Sequence, residues 1–219
     1  MEFTHFLSEL WIARNALWQG FQLTVAVSAL AIVFGTGLGL FVGIVLVYAW
    51  APFKWLIRLY VDFIRGTPVF VLVLASFYIL SVIGIQLNAF QAGVLAITLF
   101  CSSHVGEMVR GALQAIHRGQ TEAAMAIGLT FRQTFQYVLM PQALRQILPT
   151  WVNAATEMVK ASTLLSVIGV SELLLTTQQI ISRNFLSLEF YFFAGLIYFV
   201  IDFSIERFGR YLERRLAVY

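Results

Sequence analysis

Charge is scarce in this sequence. Of its 219 residues only 11% are Asp, Glu, Lys or Arg, and 60% are hydrophobic. A soluble globular domain carries about 25% charged residues. The shortage of charge, with apolar residues gathered in long runs, excludes an ordinary water-soluble domain. It predicts a single polytopic membrane domain over residues 1–219. Cysteine is nearly absent. Cys101 is alone and lies within an apolar stretch, so a disulfide framework is excluded. The three histidines are scattered and form no metal-ligand cluster with that cysteine. A Gly-x-x-x-x-Gly-Lys-Ser/Thr phosphate loop is lacking too, so no ATPase of that kind is written into the chain. Met1–Gln19 holds Glu2, Glu9 and Arg14. It lacks a basic region followed by a short apolar core and a small-residue cleavage site, so a removable signal peptide is not expected. The net charge of +3 does not imply nucleic acid, because the basic residues sit at the ends of apolar runs.

What is present is a series of apolar segments. A spanning helix needs about 20 mostly apolar residues. Five candidates meet or approach that length, at about 21–50, 69–87, 90–108, 147–170 and 190–205. Lys and Arg gather on the cytoplasmic side of a membrane protein. With the N-terminus outside, Lys54, Arg58 and Arg65 follow span one on the inside, Arg110, Arg118, Arg132 and Arg145 follow span three, and Arg207, Arg210, Arg214 and Arg215 follow span five. Only Arg14 and Arg183 fall outside, and Lys160 lies within a span. The charge pattern therefore predicts N-out and C-in.

Gly35, Gly39 and Gly43 recur every four residues in span one, sharing one helix face where a neighbour can approach closely. Pro52–Pro68 reads as an amphipathic helix along the inner leaflet, with Phe53, Leu56, Ile57, Tyr60 and Val61 at helical period and Lys54 and Arg58 on another face. Arg65-Gly66-Thr67-Pro68 then reads as a turn into span two.

The stretch between spans three and four, about 117–145, is unlike an ordinary loop. It is rich in Ala, Met, Leu and Phe, which argues against disorder. Thr121–Ile127 consists of strong helix formers, and Gly128 suits a C-terminal cap. Thr130 with Gln133 fits a capping box that starts a second helix, and Pro141 and Pro149 are expected to mark its end and the entry to span four. Apolar helical surface on the water side implies a partner, or a fold-back onto the membrane or the spans.

Glu122-Ala123-Ala124, then Gly128, then Leu139-Met140-Pro141 resembles the Glu-Ala-Ala signature of ABC importer permeases, with Met140 where Leu is usual. The surroundings resemble the polar amino acid uptake family of those permeases: Arg65-Gly66-Thr67-Pro68, Val105-Gly106-Glu107-Met108-Val109-Arg110-Gly111, Gly119-Gln120, Pro141-Gln142-Ala143-Leu144-Arg145 and the run from Lys160 to Glu172. In that last run Ala161 stands where the family commonly has an acid, and the two hydroxyl residues after it are swapped. The resemblance covers roughly Gly20 to the C-terminus. It implies an all-α type I ABC importer transmembrane domain with five spans in a bacterial cytoplasmic (inner) membrane. It also implies a second permease subunit, identical or homologous, a cytoplasmic ABC ATPase dimer and an extracytoplasmic solute-binding protein. Glu122, Ala123, Ala124, Ile127, Gly128, Leu129 and Thr130 would form the coupling element on the ATPase. This chain would bind no cofactor, ATP and Mg being held by the partner ATPase.

Ionisable groups inside a span are costly and usually functional. Glu157 and Lys160 are three residues apart on span four and are expected to pair. Asn153, Thr156, Ser162 and Thr163 add donors and acceptors to the same span, enough to hold the ammonium and carboxylate of an amino acid. His104 and Glu107 on span three are further candidates. For His104 the alternative is a packing residue, and for Glu107, Arg110 and Asp202 a structural pairing near the inner interface. The competing functions are an importer permease for another small solute, a gradient-driven secondary transporter, and a membrane enzyme using His104, Glu107 and Glu157 as acid–base groups.

Overall fold

The computed structural model describes residues 2–216; Met1 and Ala217–Tyr219 of the single-domain reading lie outside the described residues. Every regular element among the described residues is helical. The helices are α1 (Glu2–Tyr48), α2 (Ala51–Gly66), α3 (Val69–Val82), α4 (Ala89–Ala115), α5 (Arg118–Ala126), α6 (Phe131–Ile168), α7 (Leu173–Asn184) and α8 (Ser187–Leu216). α1, α4 and α8 are each long and apolar enough to cross a membrane. Two bent pairs, α2 with α3 at 108° and α6 with α7 at 52°, bring the candidate spans to between three and five.

The apolar runs mark the middles of helices better than their ends. The first helix starts at Glu2 rather than near residue 21, because no proline or glycine precedes Gly20 to stop it. At 47 residues it is about 70 Å long, more than twice the hydrocarbon thickness. α4 extends to Ala115 and α8 to Leu216, both past the expected spans, while α3 stops at Val82.

Pro141 and Pro149 do not end a helix, contrary to expectation. α6 runs from Phe131 through Pro141 and Pro149 to Ile168. A wide π-type turn at Phe135–Leu139 comes first, where Met140 N–H bonds back to the Phe135 carbonyl. Such a turn shifts the carbonyl ladder by one residue, which lets a proline follow without the usual clash. Pro149 is tolerated inside the helix on an exposed face, so it removes one ladder bond and forces no buried clash.

The glycine face of α1 positions everything else. A Cβ placed on Gly35 would lie 2.5 Å from the Cys101 Cβ, and one on Gly39 would lie 2.6 Å from the Val105 Cβ; Gly43 meets Val109 in the same way. Each step of four along α1 matches a step of four along α4, so the two helices run parallel with their backbones nearly touching. Trp151 on α6 donates Nε1–H to Thr36 Oγ1 at 2.8 Å, and Leu173 N–H donates to Thr24 Oγ1 at 3.1 Å, so α6 ascends against α1. The core includes Val27, Ala31, Ile97, Val105, Met158 and Leu165. All basic residues except Arg14, Lys160 and Arg183 belong to the segments at the Tyr48 end of this bundle.

Gly39→Ala would drive a methyl into Val105 and within 3.0 Å of the Ser102 carbonyl, whereas Gly37 has nothing within 4 Å of an added Cβ. Gly39→Ala is expected to cost about 1–3 kcal/mol, read as a lowered thermal midpoint in detergent. Gly37→Ala should be neutral or slightly stabilising in the same assay.

Candidate functional site

α5 and the start of α6 form a projection at the Tyr48 end, capped at each turn. His117 Nδ1 accepts the Gly119 N–H at 3.1 Å and caps α5 at its start. The far end closes as a Schellman motif: Gly128 N–H reaches the Met125 carbonyl at 2.9 Å and Leu129 N–H the Ala124 carbonyl at 3.1 Å. Gly128 has φ +85°, a left-handed conformation that a β-branched residue strongly resists. The expected capping box is present, with Gln133 N–H on Thr130 Oγ1 at 3.4 Å and Thr130 N–H on Gln133 Oε1 at 2.9 Å.

Ala124 is the buried residue of α5, while Glu122, Ala123, Met125, Ile127 and Gly128 face outward. Ile127 is 78% exposed. An isoleucine held in that state on a doubly capped turn presents apolar surface that the chain's own helices do not cover. Two contacts anchor the projection. Phe131 and Phe135 stand edge-on to Tyr48, with ring centroids 5.3 and 5.7 Å away. Gln142 Nε2 donates to Gln120 Oε1 at 3.2 Å.

The candidate substrate residues of α6 separate into two faces. Asn153, Glu157 and Lys160 are exposed and fall at helical spacing on one stripe. Thr156 and Ser162 turn into the core, where their hydroxyls donate to the Asn153 and Val159 carbonyls, and Thr163 donates to the Lys160 carbonyl. Back-bonding to the same helix leaves those hydroxyls little capacity for a solute.

The expected Glu157–Lys160 pair does not form. Lys160 Nζ instead lies 3.4 Å from Asp202 Oδ2 on α8, and among the described residues Glu157 has no ion-pair partner. The lysine chain is long enough to choose the neighbouring helix, and Asp202 is the more enclosed of the two carboxylates. His104 takes the packing role: its ring lies 4.3 Å from that of Phe100, and Nδ1 is 3.0 Å from the Phe100 carbonyl.

Glu107 is held structurally. Arg110 bonds it through Nε and Nη2, Arg58 Nη1 lies 2.6 Å from Oε1, and Arg65 Nη1 is 3.8 Å from Oε2. Glu107 sits between the Val105 and Val109 levels, near the Tyr48 end. Glu157 lies six residues beyond Trp151, which is level with Thr36. The acid–base trio of the enzyme alternative is therefore not brought together.

One buried acid escaped the sequence reading. Glu172 caps α7, is fully buried, and accepts from Leu174 N–H, Leu175 N–H and Tyr198 O–H at 2.9, 2.8 and 2.6 Å. It fastens α6–α7 to α8 at the end of the bundle away from Tyr48. The available signal was an acid directly before Leu173-Leu174-Leu175, which places it at a helix N-cap.

Residues 35–218 match the family of binding-protein-dependent transport system inner membrane components, and the chain belongs to that family. Among curated proteins it is similar to the glutamine transport system permease protein GlnP of Escherichia coli K12, 32% identical over 213 residues that cover 96% of this chain and 97% of that one. It is similar also to the arginine transport system permease protein ArtQ of Bacillus subtilis, 31% identical over 199 residues that cover 90% of this chain and 91% of that one. Among solved structures, an amino acid ABC transporter crystallised with histidines matches with TM-score 0.87 and 33% identity, covering 96% of this chain and 98% of that one. The methionine ABC transporter MetNI shares the fold at TM-score 0.78 and 22% identity, over 92% and 96% of the two chains. The fold is thus the type I ABC importer permease fold, and the chain is a membrane permease rather than a catalyst.

Tyr198→Phe would remove one of three donors from a buried carboxylate. It is expected to cost about 1–3 kcal/mol, measured as a drop in thermal midpoint of the detergent-solubilised protein.

Proposed function

We propose that this chain is the permease subunit of an ATP-driven importer of polar amino acids. It crosses a bacterial cytoplasmic membrane five times, with its N-terminus outside. A second permease, a cytoplasmic ATPase dimer and an extracytoplasmic solute-binding protein complete the transporter. ATP and Mg belong to the ATPase. The observation that carries this reading is the doubly capped α5–Gly128–α6 projection with exposed Met125 and Ile127, at the end of the bundle where the basic residues gather.

Glu122, Ala123, Ile127, Gly128, Leu129 and Thr130 form the contact with the ATPase, and Ala124, buried beneath them, seats the element on the bundle. Asn153, Glu157 and Lys160 form the polar face of the path, and the second permease closes its other side. Glu157 supplies a carboxylate for the solute ammonium. The Lys160 ammonium, beside Asp202, lies near enough on the same stripe to steer the solute carboxylate. Relatives named for glutamine and arginine transport favour amino acids over other small solutes as the cargo.

The test is uptake of labelled amino acids into proteoliposomes holding the permease, the co-purifying ATPase and the binding protein. Uptake should require internal ATP and survive collapse of ion gradients; uptake that follows the gradients instead would overturn the reading. Orientation is read by labelling cysteines introduced at Ser187 and Arg215 with an impermeant reagent. Cys101 is buried and gives little background. Ser187 should label from outside and Arg215 only after permeabilisation.

Two substitutions probe the roles. Gly128→Val forces a β-branched residue to φ +85° and should abolish uptake while the spans still assemble. Glu157→Gln should lower uptake about tenfold, with the ATPase still co-purifying in the same ratio. Unchanged uptake kinetics would remove Glu157 from the path.

A further inference from the structure

A pocket of about 400 Å³ opens at the Tyr48 end of the bundle, where the end of α1, the start of α2 and the end of α4 meet. Its lining carries three cations, Lys54, Arg58 and Arg110, and no acid. Gln114 and Trp55 complete its rim, and Leu46 lies at its back. This charge is not fully spent inside the protein. Four cations (Lys54, Arg58, Arg65, Arg110) surround two carboxylates (Asp62, Glu107).

Donors also remain. Lys54 gives one N–H to the Val47 carbonyl at 3.0 Å and has two more. Arg58 uses Nε on Asp62 and Nη1 on Glu107, and its Nη2 takes no partner among the described residues. Gln114 accepts from Arg110 through Oε1, leaving its amide N–H groups for another acceptor. The surroundings are those of a membrane boundary. On α2, Val61 and Ile64 are buried against the bundle, while Trp55, Leu56, Leu59 and Phe63 are all more than half exposed. An amphipathic helix of that pattern lies in the interface, with its tryptophan at headgroup depth.

We infer that this pocket binds the phosphate of an anionic phospholipid headgroup, with the acyl chains running along the exposed apolar face of α2. Lys54 and Arg58, with donors to spare, beside Gln114 in a headgroup-sized cavity match phosphate chemistry, and a basic pocket between helices at an inner interface is a site that lipid headgroups occupy. The placement in the inner leaflet rests on the orientation proposed above; the phosphate site itself does not.

Native mass spectrometry of the detergent-purified transporter, after exchange into mixed phosphatidylglycerol and phosphatidylethanolamine, tests it. Wild type should retain phosphatidylglycerol in preference to phosphatidylethanolamine. Lys54→Met should cut that retention about fivefold, and Lys54→Arg should restore it. A Trp55→Ala variant, which keeps every charge, should retain the lipid more weakly than wild type and more strongly than Lys54→Met. Equal retention of both lipids by wild type, or no difference between wild type and Lys54→Met, overturns the site. Displacement of the lipid by millimolar inorganic phosphate would assign the pocket to a soluble anion. Loss of the ATPase from Lys54→Met with lipid retention unchanged would assign it to a protein contact. Retention is measured in detergent and is blind to leaflet, so an inverted labelling pattern at Ser187 and Arg215 would refute the orientation and leave the site standing.

Discussion

The close parallel contact between α1 and α4 governs the rest of the molecule. Lipid tails are as apolar as leucine, so burying side chains gives helices in a bilayer little reason to associate, and close van der Waals approach must supply it. Gly35, Gly39 and Gly43 provide that approach along three successive turns, against Cys101, Val105 and Val109. Gly106 answers from α4 by meeting Val42. With this pair fixed, the ends of both helices emerge at one side of the bundle. The Tyr48 rings-and-loop contact, the Glu107 arginine cluster and the start of α5 are all built on that side. α2 is held across the two helices by Tyr60, whose hydroxyl lies 2.6 Å from Ser102 Oγ and reaches the Leu99 carbonyl.

A second constraint sorts the polar residues. In a low-dielectric surrounding an unpaired polar group is expensive, so hydroxyls turn back on their own helix and acids collect donors. Ser102, Ser103, Thr156, Ser162, Thr163 and Ser166 all bond a carbonyl three residues earlier. Glu172 has three donors and Glu107 has a clasp of arginines. Against that background, Glu157 is distinctive for facing outward from α6 with Asn153 and Lys160. A carboxylate so placed needs water or a partner subunit beside it, which the path proposed above supplies.

Much of this was legible in the chain itself. The glycine spacing, the Gly128 cap, the Thr130–Gln133 box and the amphipathic α2 are local patterns with local causes, and each is present as read. Long-range choices were not legible. The three-residue spacing of Glu157 and Lys160 permits a pair, but Asp202, distant in sequence, offers the lysine a more enclosed carboxylate. Pro141 and Pro149 read as stops because a π-type turn five residues long leaves no mark in composition. α1 begins nearly twenty residues before its apolar run, since hydropathy reports the hydrocarbon layer and not the helix. Glu172 ends the run that begins at Lys160, and its burial depends on Tyr198, 26 residues further along the chain.

These features also connect the projection to the polar face. α5 does not hang from a flexible linker: it rests on the Phe135–Leu139 turn, and Phe131 and Phe135 grip Tyr48 at the end of α1. The α5–α6 element is therefore seated both on that wide turn and on the end of α1. Thr36 and Trp151 tie those two helices again further up, one and a half turns before Glu157. The wide turn is the place where α6 has least ladder continuity, because a π-type turn and Pro141 adjoin there. Above that turn α6 runs on from Gln142 to Ser162, and its exposed stripe carries Asn153, Glu157 and Lys160. The Lys160–Asp202 contact at the far end of that segment joins the polar stripe to α8, so the stripe and the helix beside it form one continuous face.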